Sequence, residues 1–162
     1  MRKLLIFGNS GCGKSTMAKH LAQKHQLTHF DLDTIAWLPT EPPSRAPLDS
    51  CRQQLEAFTH ANKDWVIEGC YADLLALLAG HANEMVFLNI PVQQCVDNAK
   101  ARPWEPHKYP SKAAQDENLE MLISWISEYP HRDDELSFAA HQKLFDMFDG
   151  HKHMLTENQP FE

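Results

Sequence analysis

The segment Gly8-Asn9-Ser10-Gly11-Cys12-Gly13-Lys14-Ser15 constrains this chain more than any other. Its three glycines let the backbone curl tightly, where a Cβ would obstruct it. In front of it, Lys3–Phe7 is a short apolar run of the kind that forms a buried strand. Behind it, Lys14–His25 carries Met17, Leu21 and Ala22 at helical spacing. A strand, a glycine-rich loop and a helix in that order predict the opening of a parallel α/β sheet.

The loop fits the pattern G-x-x-x-x-G-K-[ST]. In such a loop, inward-facing backbone N–H groups and the N-terminus of the following helix attract phosphate. Lys14 is then placed to reach the β- and γ-phosphates of a nucleoside triphosphate, and the Ser15 hydroxyl to ligate Mg²⁺. The expected nucleotide-binding residues are Gly8, Asn9, Ser10, Gly11, Cys12, Gly13, Lys14, Ser15 and Thr16, and the expected cofactors are ATP and Mg²⁺.

The remainder continues the alternation. Strands are predicted at Thr28–Leu32, Trp65–Glu68, Met85–Asn89 and Lys152–Leu155. Helices are predicted at Ser50–Ala61, Asp73–Ala79, Pro91–Ala101, Ser111–Tyr129 and Asp134–Phe148. Prolines mark loops at Pro39–Pro47 and Pro103–Pro110. Ligands of parallel sheets bind beyond the carboxyl ends of the strands. The phosphate loop, Asp31 and Asp33, and Glu68–Tyr71 all fall at such ends.

Size and charge narrow the options. A chain of 162 residues suffices for one domain, expected to span 1–162, and is short for two. The net charge of −7 argues against direct nucleic-acid binding. The longest apolar stretch, 74–79, is far too short to cross a bilayer, and the N-terminal apolar run is too short for a signal peptide. Four scattered cysteines, Cys12, Cys51, Cys70 and Cys95, suit a reducing cytoplasm. His151 and His153 form the one tight histidine pair, a pattern more common on surfaces than in metal sites. Oligomeric state is left open.

Taken together, Gly8–Thr16, Asp31-Leu32-Asp33, Glu68-Gly69 and the later proline-rich basic segment resemble the small P-loop kinases, among them shikimate, adenylate and gluconate kinases. The stretches 30–37 and 65–71 resemble bacterial adenylate-kinase-like proteins described as topology-modulation proteins. The resemblance implies a three-layer α/β/α P-loop NTPase fold. Its sheet would be five-stranded and parallel, of the nucleoside-monophosphate-kinase type, with a helical lid segment at about 102–115.

The resemblance also implies residue roles. Asp31 would sit near the metal with Ser15, and Asp33 would meet the acceptor hydroxyl. Trp37, Glu68, Gly69 and Tyr71 would face the acceptor with Asp33. The single glycine after Glu68, and an arginine complement in which Arg45 and Arg52 are near but do not match the family's position, break the shikimate-specific pattern. Arg102 in the lid would contact phosphate, and Arg132 in Arg132-Asp133-Asp134 resembles an adenylate kinase arginine. Trp104 and Tyr109 would stack on a ligand or pack the lid, and Trp125 belongs to the core.

The implied activity is ATP-dependent transfer of a phosphoryl group to a small hydroxyl- or phosphate-bearing acceptor, with Lys14, Asp33, Arg102 and Arg132 as its catalytic residues. A nucleotide-dependent regulator and a plain NTPase are the competing readings.

Overall fold

The computed structural model describes residues 1–159. The last three positions of the expected 1–162 unit lie outside the described residues. The strands are β1 (Lys3–Gly8), β2 (Thr28–Asp31), β3 (Trp37–Leu38), β4 (Ser44–Arg45), β5 (Trp65–Gly69), β6 (Glu84–Leu88) and β7 (His151–Leu155). The helices are α1 (Lys14–His25), α2 (Asp33–Ala36), α3 (Leu48–Ala61), α4 (Ala72–Leu78), α5 (Val92–Ala101), α6 (Lys112–Ser127) and α7 (Phe138–Met147).

Five strands form one parallel sheet in the order β2-β5-β1-β6-β7, and β3 and β4 make a separate two-residue antiparallel ladder. Strand β1 sits at the centre because it is apolar on both faces: Leu4, Leu5, Ile6 and Phe7 are all fully buried. Alternation divides it between two cores. Leu5 and Phe7 join Trp65, Ile67, Met85 and Phe87 under α3, α4 and α7. Leu4 and Ile6 join Val66, Val86 and Leu88 under α1, α5 and α6. The result is the expected three-layer α/β/α arrangement.

The sheet register fixes the site. Ile6 pairs with Glu68, Phe7 with Gly69, and Asp31 with Glu68. The phosphate loop, the acid at the end of β5 and the acid at the end of β2 therefore emerge side by side at one sheet edge.

Several boundaries shift from the sequence reading by a residue or two, short elements appear at 33–36, 37–38 and 44–45, and two differences have a clear local cause. The last helix begins at Phe138, not Asp134, because Asp134 makes its own turn: its carboxylate accepts the Leu136 N–H at 3.0 Å. Ser137 then caps α7 by accepting from the Ala140 N–H. The helix expected to run to Tyr129 ends at Ser127, and Tyr129–His131 forms a separate 3-10 turn. His151 and His153 lie exposed on the edge strand β7.

Candidate active site

The phosphate loop has the backbone its glycines were expected to permit. Gly11 and Gly13 hold φ of 79° and 96°, in the left-handed region that other residues rarely enter. A Cβ on Gly11 would lie 2.6 Å from the Cys95 carbonyl oxygen. The loop is also tied from behind. Asn9, 2% exposed, donates its side-chain N–H to the Ile126 carbonyl at the end of α6 at 3.1 Å. Asn98 of α5 donates to the Gly11 carbonyl, and Asn158 to the Cys12 carbonyl, each at 2.9 Å.

Lys14 folds over this loop, with Nζ donating to the Asn9 carbonyl at 2.9 Å. Burial opposes its charge, but its ionisable neighbours, the Glu68 and Asp33 carboxylates among them, hold its pKa above the ordinary lysine value. The ammonium thus stays protonated at the place where phosphate charge is expected.

Ser15 donates to Glu68 Oε2 at 2.8 Å, and His29 Nε2 approaches the same oxygen at 2.9 Å. Glu68 is 2% exposed and lies on the α1 side of the sheet. Sequence reasoning gave Glu68 to the acceptor and paired Ser15 with Asp31. In the fold Ser15 is bonded to Glu68, and His29 was not anticipated. No spacing rule could have shown this, since it depends on β5 lying between β1 and β2.

Asp31 and Asp33 stand side by side although only Asp31 belongs to a strand. Strand alternation does not relate them, because Asp33 already opens α2. A turn does: Asp31 Oδ1 accepts the Asp33 N–H at 2.9 Å. Burial, then Glu68 and Asp33, raise the Asp31 pKa above the usual carboxylate range. Asp33 Oδ1 accepts from the Tyr71 hydroxyl at 2.5 Å, and that hydroxyl accepts from Trp37 Nε1 at 2.8 Å. Arg45 stacks on the Tyr71 ring at 4.7 Å. Gly69 has a packing reason of its own, since a Cβ there would fall 2.8 Å from Leu32.

The basic segment after α5 is an ordered loop leading into α6. The Gln115 side chain binds the Glu105 N–H and the Pro103 carbonyl. Trp104 Nε1 donates to the Tyr109 carbonyl at 3.0 Å, so Trp104 and Tyr109 hold the loop together. Lys108 reaches across to Asp33 Oδ2 at 3.8 Å. Arg102 pairs with Glu105 at 3.3 Å and lines a cavity of about 400 Å³ beside the phosphate loop. Gly13, Thr16, Asn98, Leu155 and Asn158 also line it. Asn98 and Asn158 carried no motif that could have marked them.

Arg132 is placed differently. Its guanidinium donates to the Trp125 and Leu136 carbonyls and stacks 3.7 Å above the Trp125 ring. The side chain is 9% exposed, and burial lowers its pKa. These contacts make it a clamp on the end of α6, and a phosphate contact would require them to be released.

The residues fit a Mg²⁺-bound nucleoside triphosphate. Glycines leave room where a Cβ would collide, a charged ammonium lies over the loop, and a hydroxyl and a carboxylate already share a hydrogen bond beside it. The fold is that of the P-loop kinases.

Solved structures with this fold include shikimate kinase from Acinetobacter baumannii in complex with shikimate. It is 15% identical, with a TM-score of 0.57 over 99% of this chain and 86% of that one. A sugar kinase from Janibacter sp. HTCC2649 is also 15% identical, with a TM-score of 0.55 over 99% of this chain and 87% of that one. A family model described as RNA helicase, a P-loop NTPase domain family, matches residues 4–67, from β1 into β5. In sequence, the chain is 25% identical over 144 residues to the uncharacterized protein YqaC of Bacillus subtilis (strain 168), covering 87% of this chain and 80% of that protein. Among the described residues, no helix is long and apolar enough to cross a membrane.

Proposed function

We propose that this protein transfers the γ-phosphoryl group of Mg·ATP to a hydroxyl group of a small acceptor. The observation that carries the reading is the convergence on one sheet edge of Lys14, the Ser15–Glu68 pair and Asp33. A plain NTPase needs the first two. An acid aligned by a tyrosine and bridged by a lid lysine suits a second substrate.

In this account the triphosphate lies along the loop with its base in the cavity beside Gly13 and Asn98. Ser15 and Glu68 would hold Mg²⁺, with Asp31 near enough to Glu68 to hold one of its waters. Bound there, the ion would neutralise charge on the β- and γ-phosphates. Asp33 orients the acceptor hydroxyl and accepts its proton. The acceptor oxygen bonds to the γ-phosphorus as the bond to the β,γ-bridging oxygen breaks. Lys14 stabilises the charge that collects on the equatorial and leaving oxygens, and Arg102 assists from the lid. The loop carrying Lys108 excludes water from the reacting atoms.

Asp33→Asn should lower the rate of transfer by roughly 10²- to 10³-fold while changing the nucleotide Kd by less than about 3-fold. The two effects can be read from single-turnover transfer and from titration with a fluorescent ATP analogue. Undiminished transfer in that variant would remove Asp33 from the mechanism.

A further inference from the structure

The charges around Asp33 bear on the chemistry of the acceptor. Arg45 lies over the Trp37 and Tyr71 rings beside Asp33, and each of its three nitrogens is already engaged. Nη1 bonds Glu135 at 2.8 Å, Nη2 bonds both oxygens of Asp73 at 3.1 Å, and Nε bonds the Ala36 carbonyl at 3.2 Å. Two carboxylates neutralise it, and the Tyr71 ring covers one face. Lys108 is shared between Asp33 at 3.8 Å and Glu105 at 3.4 Å. Arg52, further along α3, pairs with Asp49. Among the described residues on this side of the site, every arginine and lysine named here has a carboxylate partner. The acids named on this side, Asp31, Asp33, Asp49, Asp73, Glu105 and Glu135, outnumber the bases Arg45, Arg52 and Lys108.

An acceptor bearing a carboxylate or a phosphate would have to displace one of these pairs. Doing so would leave a partly buried charge unpaired next to like charge. An uncharged alcohol meets no such barrier. What the site offers it is the Asp33 carboxylate and the indole of Trp37, which remains 42% exposed after donating its N–H to Tyr71. An aromatic face beside a hydrogen-bond acceptor suits the flat face of a sugar or nucleoside ring.

Resting on the kinase reading above, we infer that the phosphoryl acceptor is a ring-bearing alcohol without negative charge. It stacks on Trp37 and presents a hydroxyl to Asp33. Carboxylated and phosphorylated acceptors are disfavoured by the neutralisation of Arg45 by Asp73 and Glu135.

The test is a set of matched acceptors with the wild-type chain and Mg·ATP: nucleosides against their 5′-monophosphates, and neutral sugars against the corresponding sugar acids. The expected result is a kcat/KM for the uncharged member at least about 10-fold above that of its anionic partner. Releasing Arg45 by Asp73→Asn with Glu135→Gln should shift the ratio toward the anionic member. Equal or better use of the anionic member by the wild-type chain overturns this inference and leaves the kinase reading standing. Lys14-dependent release of phosphate to water, with no alcohol phosphorylated, overturns both.

Discussion

Lys14→Ala will reduce phosphoryl transfer by on the order of 10³-fold, the scale of losing a preorganised charge from a transition state. The ammonium already lies on the Asn9 carbonyl with its charge supported by Glu68 and Asp33. Its charge is therefore in place beside the loop before the triphosphate arrives. Among the described residues the ammonium bonds only to groups of the loop itself, so its removal should shift Tm by only a few degrees. Steady-state transfer and a thermal melt on the same sample check both halves. A variant that keeps its activity would mean that the phosphate is held elsewhere.

The largest stability effect should come from His141, which is fully buried on α7 against the Cys70 carbonyl just beyond β5. The Cys70 carbonyl can only accept, so Nε2 carries the proton and donates to it at 2.7 Å. Nδ1 is then the acceptor for the Tyr129 hydroxyl at 2.7 Å. Both ring nitrogens are used by the neutral form, and burial lowers the pKa from 6.5 to about 4.

The sign follows from linkage. Between pH 6.5 and 4 the unfolded chain binds a proton here that the folded chain does not. The stability that His141 contributes is complete above pH 6.5 and is lost as the pH falls toward 4, by about 3 kcal/mol in all. His141→Phe keeps the ring but strands a buried carbonyl and a buried hydroxyl. It should lower stability at pH 7.5 by roughly 3 kcal/mol, or Tm by about 6–12 °C. It should also remove this part of the acid dependence. Denaturant unfolding across that pH range measures both. Because Cys70 precedes Tyr71, the variant should also disturb the hydroxyl that positions Asp33.

How far the sequence revealed this molecule depends on which residues carry the information. Strand β1 and the phosphate loop were plain, because an apolar run and three glycines before a lysine leave few alternatives. Helix α1 was read with its observed ends, since Gly13 and the Gln26 cap stop it by local chemistry. The start of α7 was not, because Asp133 and Asp134 fit a helix start as well as the turn that Asp134 makes.

Within the site, Asp31 and Asp33 could be nominated from their spacing, though the turn that joins them could not. The Ser15–Glu68–His29 contact is a product of sheet order, as β2 and β5 approach the loop from one side. Asn158 reaches the Cys12 carbonyl only because β7 lies on the other side of β6, two strands from β1. The neutralisation of Arg45 brings together residues from β4, α4 and the turn before α7. Contacts among elements distant in sequence carry no local pattern, and the proposed acceptor side is built almost wholly from them.

The most direct test of the central claim follows the γ-phosphate of labelled Mg·ATP in the presence and absence of uncharged ring alcohols, with Lys14→Ala as the blank. The account predicts label in a phosphorylated acceptor, formed by the wild-type chain alone and dependent on the added alcohol. Label released only as inorganic phosphate, at the same rate with and without acceptor, would contradict it.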